Sequence, residues 1–326
     1  MPTRPETTDP PRPTVVYIGA HDRSGSTLLD RVLGELPGCV SLGEVRRIWD
    51  RGLGQNQLCG CGTPFRECAH WASVLHRAFG DLSEERIDEM RRLAGEVGRM
   101  RRFPSLLAQN GSPGQEGPPR AYADILGSLY RAIVDETGCS VMIDSSKDPV
   151  YGAALFALPG LDVRMVHLVR DARAVAFSQQ RKKAKPEIHW RTATRETKPA
   201  AETAIRWDLS ALLWNTLAKR TGAVFIRYED LVRSPADALA PLVRSLGSAA
   251  SEGLEHLRAG IHLGVAHTVS GASMRFHQGD LDIALDAEWQ RAMTWKDRTA
   301  VTALTWPGLL RFGYPLRSPI EEGSHA

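Results

Sequence analysis

Residues 15–44 read VVYIGAHDRSGSTLLDRVLGELPGCVSLGE, and three patterns follow one another in this segment. Residues 15–18 are β-branched or aromatic and are followed by Gly19, which is typical of a buried strand. Small and polar residues occupy 23–27, and apolar residues then recur at helical spacing from 28 to 36. The segment therefore predicts a strand, a short loop and a helix in direct succession.

The loop at 23–27 lies at the first turn of the predicted helix. Unpaired backbone N–H groups and the positive end of the helix dipole point there, and small residues let a phosphate approach the backbone. We therefore expect an anion-binding loop with Arg23 as its cation. The lysine of a nucleotide triphosphate loop is missing, because Gly25 and Ser26 stand in its place. The alternative is an ordinary turn in which hydroxyls cap the helix.

Three further strands are predicted at 140–144, 163–169 and 224–228, with helical stretches between them. Strands that alternate with helices indicate β-α-β units, a parallel sheet and ligands at the carboxyl ends of the strands. We expect an α/β fold of three layers, with a central parallel sheet flanked by helices.

The domain organisation is predicted from length and composition. The chain has 326 residues and is 42% hydrophobic, which is enough for one large domain. Residues 1–13 are polar and rich in proline, so we expect a disordered tail. Residues 14–326 are expected to form a single domain with a helical and loop insertion at about 50–120.

Three motifs resemble those of sulfotransferases that use 3′-phosphoadenosine 5′-phosphosulfate (PAPS). Residues 23–28, RSGSTL, resemble the family's 5′-phosphosulfate loop. Residues 168–178, LVRDARAVAFS, resemble its 3′-phosphate site, in which a serine follows an arginine by eight positions. Residues 226–232, IRYEDLV, are similar to its Tyr-Glu-Asp-Leu segment. The resemblance extends to about residue 314 and implies a P-loop-like fold and transfer of a sulfuryl group to a hydroxyl.

The resemblance also implies which residues bind the nucleotide. Arg23 and the backbone N–H groups of Ser24, Gly25, Ser26, Thr27 and Leu28 would bind the phosphosulfate. Arg170 and Ser178 would bind the 3′-phosphate, and Tyr228 would lie at the nucleotide. Arg275 belongs to a late segment that folds over the nucleotide in the family, so it is expected to reach a phosphate.

For catalysis, the resemblance implies roles for Glu44 and Lys147 besides Arg23. The position of Glu44 relative to Arg23 resembles that of the base glutamate in protein-tyrosine and several carbohydrate sulfotransferases. Glu44 would then be the general base of an in-line transfer, and we expect burial to raise its pKa. Lys147 resembles the lysine that stabilises the bridging oxygen of the leaving group.

Structural roles are the alternatives for both catalytic side chains. Glu44 could be an exposed carboxylate or pair with Arg46 or Arg47. Lys147 could pair with Asp144 or Asp148.

Two other functions fit parts of the pattern. A P-loop kinase for small molecules would use ATP and Mg²⁺, but the missing lysine argues against it. A non-catalytic nucleotide-binding scaffold would not need Glu44 and Lys147. We expect the acceptor to be a small molecule with a hydroxyl, such as a carbohydrate or natural product. Its pocket is expected to be built from the loops at 52–70, 103–120 and 181–198.

Cys59, Cys61, Cys68 and His70 stand within twelve residues of one another. Thiolates and an imidazole are ligands of structural zinc, although the spacing is not that of a usual zinc knuckle. A reduced, buried cysteine cluster and a single disulfide remain as alternatives. We do not expect a catalytic metal, because sulfuryl transfer does not need one.

The charge and the apolar runs limit the partners. A net charge of +3 is small for a general nucleic-acid binder. No apolar run approaches the roughly 20 residues that span a bilayer, and the start has no signal core, so we expect a cytoplasmic protein without a membrane partner. Lysines and arginines are concentrated at 181–198. A solvated surface is their ordinary interpretation, and attraction of an anionic nucleotide is the alternative.

Overall fold

A computed structural model of the chain describes residues 12–108 and 118–317. Its strands and helices are, in chain order, β1 (Thr14–Ala20), α1 (Ser26–Gly34), β2 (Cys39–Gly43), α2 (Ala69–Phe79), α3 (Glu84–Val97), α4 (Phe103–Ala108), α5 (Pro118–Thr137), β3 (Val141–Asp144), α6 (Pro149–Phe156), β4 (Asp162–Val169), α7 (Ala172–Gln180), α8 (Ala200–Thr221), β5 (Val224–Arg227), α9 (Tyr228–Arg233), α10 (Pro235–Ser245), α11 (Ser248–Ala259), β6 (His262–Leu263), β7 (Gly279–Asp280), α12 (Trp289–Ala292) and α13 (Trp295–Arg311). A π-helix at Ile48–Gly54 and 3₁₀ turns at Val45–Arg47, Phe65–Glu67, Met100–Arg102 and Ser273–Phe276 complete these elements. Residues 1–11 of the expected tail and residues 109–117 of the expected acceptor loop lie outside the described residues.

The five long strands form one parallel sheet in the order β2-β3-β1-β4-β5, and β6 and β7 form a separate antiparallel pair. Along β1, Val16 and Ile18 pack into a core that includes α1 and α10, whereas Val15 and Tyr17 pack into a core that includes α2, α3 and α5. Helices therefore cover both faces of the sheet. The predicted α/β fold with a central parallel sheet is confirmed.

The sequence predicts four of the five sheet strands to within about two residues and misses β2. In that strand, Ser41 and Gly43 interrupt the apolar pattern, and the five residues follow α1 after only four connecting residues. Glu44, the residue after β2, is thereby fixed to the carboxyl end of an edge strand. Between β2 and β3 the chain forms α2–α5, in the region of the expected helical insertion.

The carboxyl ends of all five strands lie at one edge of the sheet, because the strands are parallel. The strand order reverses direction at β1. The chain leaves β1 through α1 towards β2 and β3 on one side of this strand, and β4 and β5 lie on its other side. Such a switch point opens a crevice above the strand ends, where ligands bind in open α/β sheets. Each of the five strands ends close to at least one residue that the sequence motifs single out.

Two tryptophans of α8 pack beneath this edge. Trp214 contacts β1 so closely that a Cβ on Gly19 would lie 2.3 Å from its ring. Trp207 donates its indole N–H to the carbonyl of Arg170 over 3.1 Å. Both tryptophans are about 2% exposed and belong to the buried core. They pack against the ends of β1 and β4, where the loops that begin near Gly19 and Arg170 leave the sheet.

Asp30, a residue of α1, has a buried carboxyl group that contacts β2. Its side chain accepts a 2.6 Å hydrogen bond from the Ser41 hydroxyl and a longer bond from the Gly43 N–H. Burial raises the pKa of Asp30 to about 7, and the neighbouring Asp144 adds to the shift. Because the folded chain holds this proton more tightly than the unfolded chain, folding stability is lost as the pH rises through about 7.

We expect Asp30→Asn to remove this pH dependence. Between pH 5 and pH 8 the free energy of unfolding of the variant should rise relative to wild type by up to about 2–3 kcal/mol. Chemical denaturation at the two pH values measures this difference. Asp88→Asn, at an exposed position, is the control: its free energy of unfolding should differ from that of wild type by the same amount at both pH values. If Asp30→Asn also differed from wild type by the same free energy at both pH values, the prediction would be contradicted.

Candidate active site

A cleft of about 970 Å³ opens at the carboxyl edge of the sheet. Ten lysine and arginine side chains line it, against seven aspartates and glutamates, so its field favours an anionic ligand. The cleft brings together most of the residues that the sequence predicts as a site: Arg23, Gly25, Ser26, Thr27, Leu28, Glu44, Lys147, Arg170, Ser178 and Tyr228. The side chain of Ser24 is buried behind the loop, and Arg275 does not line the cleft.

The loop between β1 and α1 has the shape of an anion cradle. Arg23 and Gly25 both have left-handed backbone angles, with φ of 71° and 90°. Gly25 is the N-cap of α1 and no side chain caps this helix, so hydroxyl capping does not explain the loop. The N–H groups of residues 26–28 therefore have no partner within the helix. A Cβ on Gly25 would lie 2.4 Å from the ring of Tyr228, so only glycine fits here.

Arg170 follows β4 and reaches the same loop. Its guanidinium donates to the carbonyl of Arg23 over 3.2 Å, pairs with Asp286 over 3.0 Å and lies 4.4 Å above the ring of Tyr228. Its Nε is buried and has no hydrogen-bond partner among the described residues. Ser178, on α7, lines the cleft as well. A buried guanidinium N–H without a partner fits a site that receives a phosphate oxygen.

Glu44 and Lys147 form an ion pair in the cleft. Lys147 Nζ lies 2.6 Å from Glu44 Oε1, and the two side chains are only 9% and 12% exposed. On the other carboxylate oxygen, Ser270 donates over 3.3 Å and Arg51 lies 3.6 Å away. Lys147 has a φ of 60°, which is strained for a residue with a side chain and is found at functional sites more often than elsewhere.

The structural alternatives for the two side chains are not found. Arg46 pairs with Asp148 over 3.3 Å, and Arg47 pairs with Asp50 over 3.2 Å, so neither takes Glu44 as its partner. Asp144 accepts hydrogen bonds from Tyr130 and Ser146 instead of pairing with Lys147.

The pKa of Glu44 differs from the expectation. Burial alone would raise this pKa, but the positive charges of Lys147 and Arg51 outweigh it, so the pKa lies below its ordinary value. Glu44 is therefore a carboxylate at neutral pH, stabilised as an anion by its two cationic neighbours. His21 also lines the cleft, and burial lowers its pKa.

Residues 266–275, between β6 and β7, contribute contacts that the sequence did not reveal. Val269 accepts a 2.6 Å hydrogen bond from the N–H of Glu44, and Ala272 donates to the hydroxyl of Thr27 over 3.2 Å. The segment has no periodicity, and it meets Glu44 across more than 220 residues of chain. No local sequence pattern could have shown that this segment contacts Glu44.

Arg275 is placed differently from the expectation. Its guanidinium is buried and donates to the carbonyls of Thr268 and Leu58 over 2.8 and 2.5 Å. This arginine thus joins its own segment, 266–275, to the loop at residue 58. Arg275 stabilises the segment that contacts Glu44 and does not reach the cleft in this structure.

The basic residues at 181–198 border the cleft in part. Lys183, Lys185, Arg191 and Arg195 all line it. Arg195 also donates to the carbonyl of Gly271 over 2.8 Å, which joins this loop to the 266–275 segment. Lys183 and Arg191 are exposed and Lys185 and Arg195 are half-buried, so this part of the cleft wall is also protein surface.

The predicted cysteine and histidine cluster is corrected at one position. Cys59, Cys61 and Cys68 lie together, but the histidine beside them is His267. His70 stacks on the ring of His267 with centroids 4.6 Å apart. All five cysteines of the chain are unlinked, and the cluster lies outside the cleft lining.

No helix within residues 12–108 and 118–317 is long and apolar enough to cross a membrane.

No curated protein matches the sequence. Among solved structures, the chain is similar to the sulfotransferase domain of the olefin synthase of Synechococcus PCC 7002, with 18% identity, a TM-score of 0.52, and coverage of 95% of this chain and 98% of that one. It also matches a sulfotransferase domain from the curacin biosynthetic pathway, with 15% identity, a TM-score of 0.47, and coverage of 93% and 99%.

The sulfotransferase family itself matches residues 13–252, which is more than half of the chain. The match contains the anion-binding loop, Glu44, Lys147, Arg170, Ser178 and Tyr228. The first solved structure agrees with it at the level of the fold. This protein belongs to the sulfotransferase family and has the α/β fold of its transferases.

Proposed function

We propose that this sulfotransferase moves the sulfuryl group of PAPS to a hydroxyl of a small-molecule acceptor, such as a carbohydrate or natural product. One observation carries the proposal: the anion-binding loop, Arg170 with Ser178, and the Glu44–Lys147 pair line a single cleft. An adenosine nucleotide with phosphates at both the 5′ and 3′ positions needs two separate anion sites, and this cleft offers two.

Each anion site has a distinct chemistry. At the loop, the N–H groups of residues 26–28 and the side chain of Arg23 would bind the phosphosulfate. At the end of β4, the Arg170 guanidinium would form charge-assisted hydrogen bonds with the 3′-phosphate, and the Ser178 hydroxyl would add a neutral one. When bound, PAPS supplies an activated sulfuryl group whose leaving group is a phosphate.

Glu44 would accept the proton of the acceptor hydroxyl, and Lys147 would control its basicity. While Lys147 Nζ lies 2.6 Å from Glu44, it stabilises the carboxylate and makes it a weak base. A developing negative charge on the leaving phosphate would draw the ammonium away. The pKa of Glu44 would then rise, because only Arg51 would remain to oppose the effect of burial, and the carboxylate would become a stronger base as the transfer proceeds.

The acceptor would enter beside Glu44, where Arg46, Arg47 and Arg51 line the cleft. A cavity of about 970 Å³ lies at the upper end of the range for ligand sites, which suits a nucleotide together with the reacting part of a second molecule.

Thermal unfolding with 3′,5′-adenosine bisphosphate and with AMP tests the nucleotide part of this proposal. Without added divalent metal, the bisphosphate should stabilise the protein by about 2.7 kcal/mol at one hundred times its dissociation constant, and AMP at equal concentration should do less because it lacks the 3′-phosphate. Transfer of labelled sulfate from PAPS to a panel of hydroxyl compounds then tests turnover. Stabilisation only by ATP with Mg²⁺ would favour a kinase. Bisphosphate binding without hydrolysis or transfer of PAPS would favour a scaffold.

A further inference from the structure

Three thiols and one imidazole converge outside the cleft. The ligand atoms of Cys59, Cys61, Cys68 and His267 all lie within 4.8 Å of one another. Cys59 and Cys61 belong to the tight turn that the Gly62 N–H closes on the carbonyl of Cys59, Cys68 immediately precedes α2, and His267 comes from the segment after β6. Two parts of the chain about 200 residues apart thus supply one cluster.

The distances match a tetrahedral metal site. Cys61 Sγ lies 3.8 Å from Cys68 Sγ, and His267 Nδ1 lies 3.2 Å from Cys68 Sγ and 3.9 Å from Cys59 Sγ. Tetrahedral zinc, with Zn–S near 2.3 Å and Zn–N near 2.0–2.1 Å, separates two sulfurs by about 3.8 Å and a sulfur from a nitrogen by about 3.5 Å. The sulfur–sulfur separation equals the first value, and the two sulfur–nitrogen separations lie on either side of the second.

A disulfide accounts for the cluster less well. Two bonded sulfurs lie about 2.05 Å apart, well below the 3.8 Å between Cys61 and Cys68. A disulfide would also engage two of the four groups and leave the third thiol and the imidazole unexplained. A plain apolar cysteine cluster would not need the histidine, whose Nδ1 is directed at two of the sulfurs.

The surroundings support and orient these groups. The Trp71 backbone N–H, in the first turn of α2, donates to the sulfur of Cys68, and the Trp71 indole donates to the carbonyl of His267 over 2.8 Å. The ring of His70 stacks on His267. The positive charge of buried Arg275 lies near Cys59, where it would offset the net negative charge of three thiolates around a divalent ion.

We propose that Cys59, Cys61, Cys68 and His267 bind one zinc ion as a structural site. Zinc fits because it prefers four tetrahedral sulfur and nitrogen ligands, and all four positions are filled by protein groups, which leaves none open for a substrate. The ion would fasten the loop at 58–68 to the 266–275 segment. Through Val269 and Ser270, the same segment contacts Glu44, so the ion would position the partners of the proposed base. The metal site itself does not depend on the proposed function.

Metal analysis of the purified full-length protein tests the site. By inductively coupled plasma mass spectrometry, protein purified without chelators should contain about one zinc per chain. Cys68→Ser and His267→Ala should lose at least about nine tenths of it. Matched controls are Cys139→Ser, a cysteine outside the cluster, and His70→Ala, and both should retain the metal. Wild type without stoichiometric zinc, or loss in His70→Ala with retention in His267→Ala, would overturn the assignment.

A second measurement covers variants that fail to fold. Wild-type protein produced with cobalt in place of zinc should show the strong visible bands of tetrahedral Co²⁺ and the charge-transfer absorption of thiolate ligands. The spectrum of an octahedral cobalt ion without thiolate absorption would overturn the proposal. So would a Cys61–Cys68 disulfide found by mass spectrometry of peptides prepared without reductant.

Discussion

Glu44→Gln should lower kcat for sulfuryl transfer by about 100- to 10,000-fold, the range for loss of a general base. Glutamine preserves the size of the side chain but cannot accept the proton of the acceptor. The affinity for 3′,5′-adenosine bisphosphate should remain near the wild-type value or increase, because Lys147 no longer has a carboxylate partner 2.6 Å away and remains available to an anionic ligand.

Single-turnover kinetics with PAPS and a reactive acceptor measures this effect, and bisphosphate-dependent thermal stabilisation shows that the variant is folded. Removing one member of a largely buried ion pair lowers stability, so this second readout is necessary. Glu196→Gln is the matched control, because Glu196 lines the same cleft but is exposed. Wild-type turnover in Glu44→Gln would reject Glu44 as the base and direct attention to His21.

Arg170→Ala should weaken binding of the bisphosphate by about 2–5 kcal/mol, or roughly 30- to 4,000-fold, while AMP binding changes little. The guanidinium is held by Arg23, Asp286 and Tyr228 in one orientation, with its Nε unsatisfied. The preference for the ligand with a 3′-phosphate should therefore disappear.

Isothermal titration calorimetry with 3′,5′-adenosine bisphosphate and with AMP gives the ratio of the two dissociation constants directly. Arg181→Ala is the control, because this arginine is exposed and pairs with Glu288. Arg170→Lys adds a further comparison: it retains the charge but loses the forked geometry, so we expect an intermediate loss. Unchanged discrimination between the two nucleotides in Arg170→Ala would remove this residue from the proposed 3′-phosphate site.

Much of the fold can be predicted from local patterns. Three of the four predicted strands are short apolar runs with glycine or charged residues after them, and such runs form buried parallel strands in any context that offers helices on both faces. Because the strands are parallel, the residues after β1, β3, β4 and β5 must meet at one edge. The position of Glu44 came from resemblance alone, since β2 was not recognised.

The remainder of the site depends on contacts that no local pattern encodes. His70 is close to the cysteines in sequence, but it lies in α2. There its ring stacks on His267 and does not join the sulfurs. The lowered pKa of Glu44 similarly depends on where Lys147 and Arg51 lie, since burial alone predicts the opposite direction. In both cases the deciding partner, His267 for the cysteines and Lys147 for Glu44, is distant in sequence.

The contacts of the 266–275 segment also bear on how the protein is made. Glu44 is synthesised early, yet its partner Ser270 and the cluster member His267 emerge from the ribosome more than 200 residues later. Pairings of such high sequence separation form slowly and late. The nascent chain can therefore complete its first strand, loop and helix well before Glu44 and the cysteine cluster acquire their last partners, which are present only once residues 266–275 have been translated.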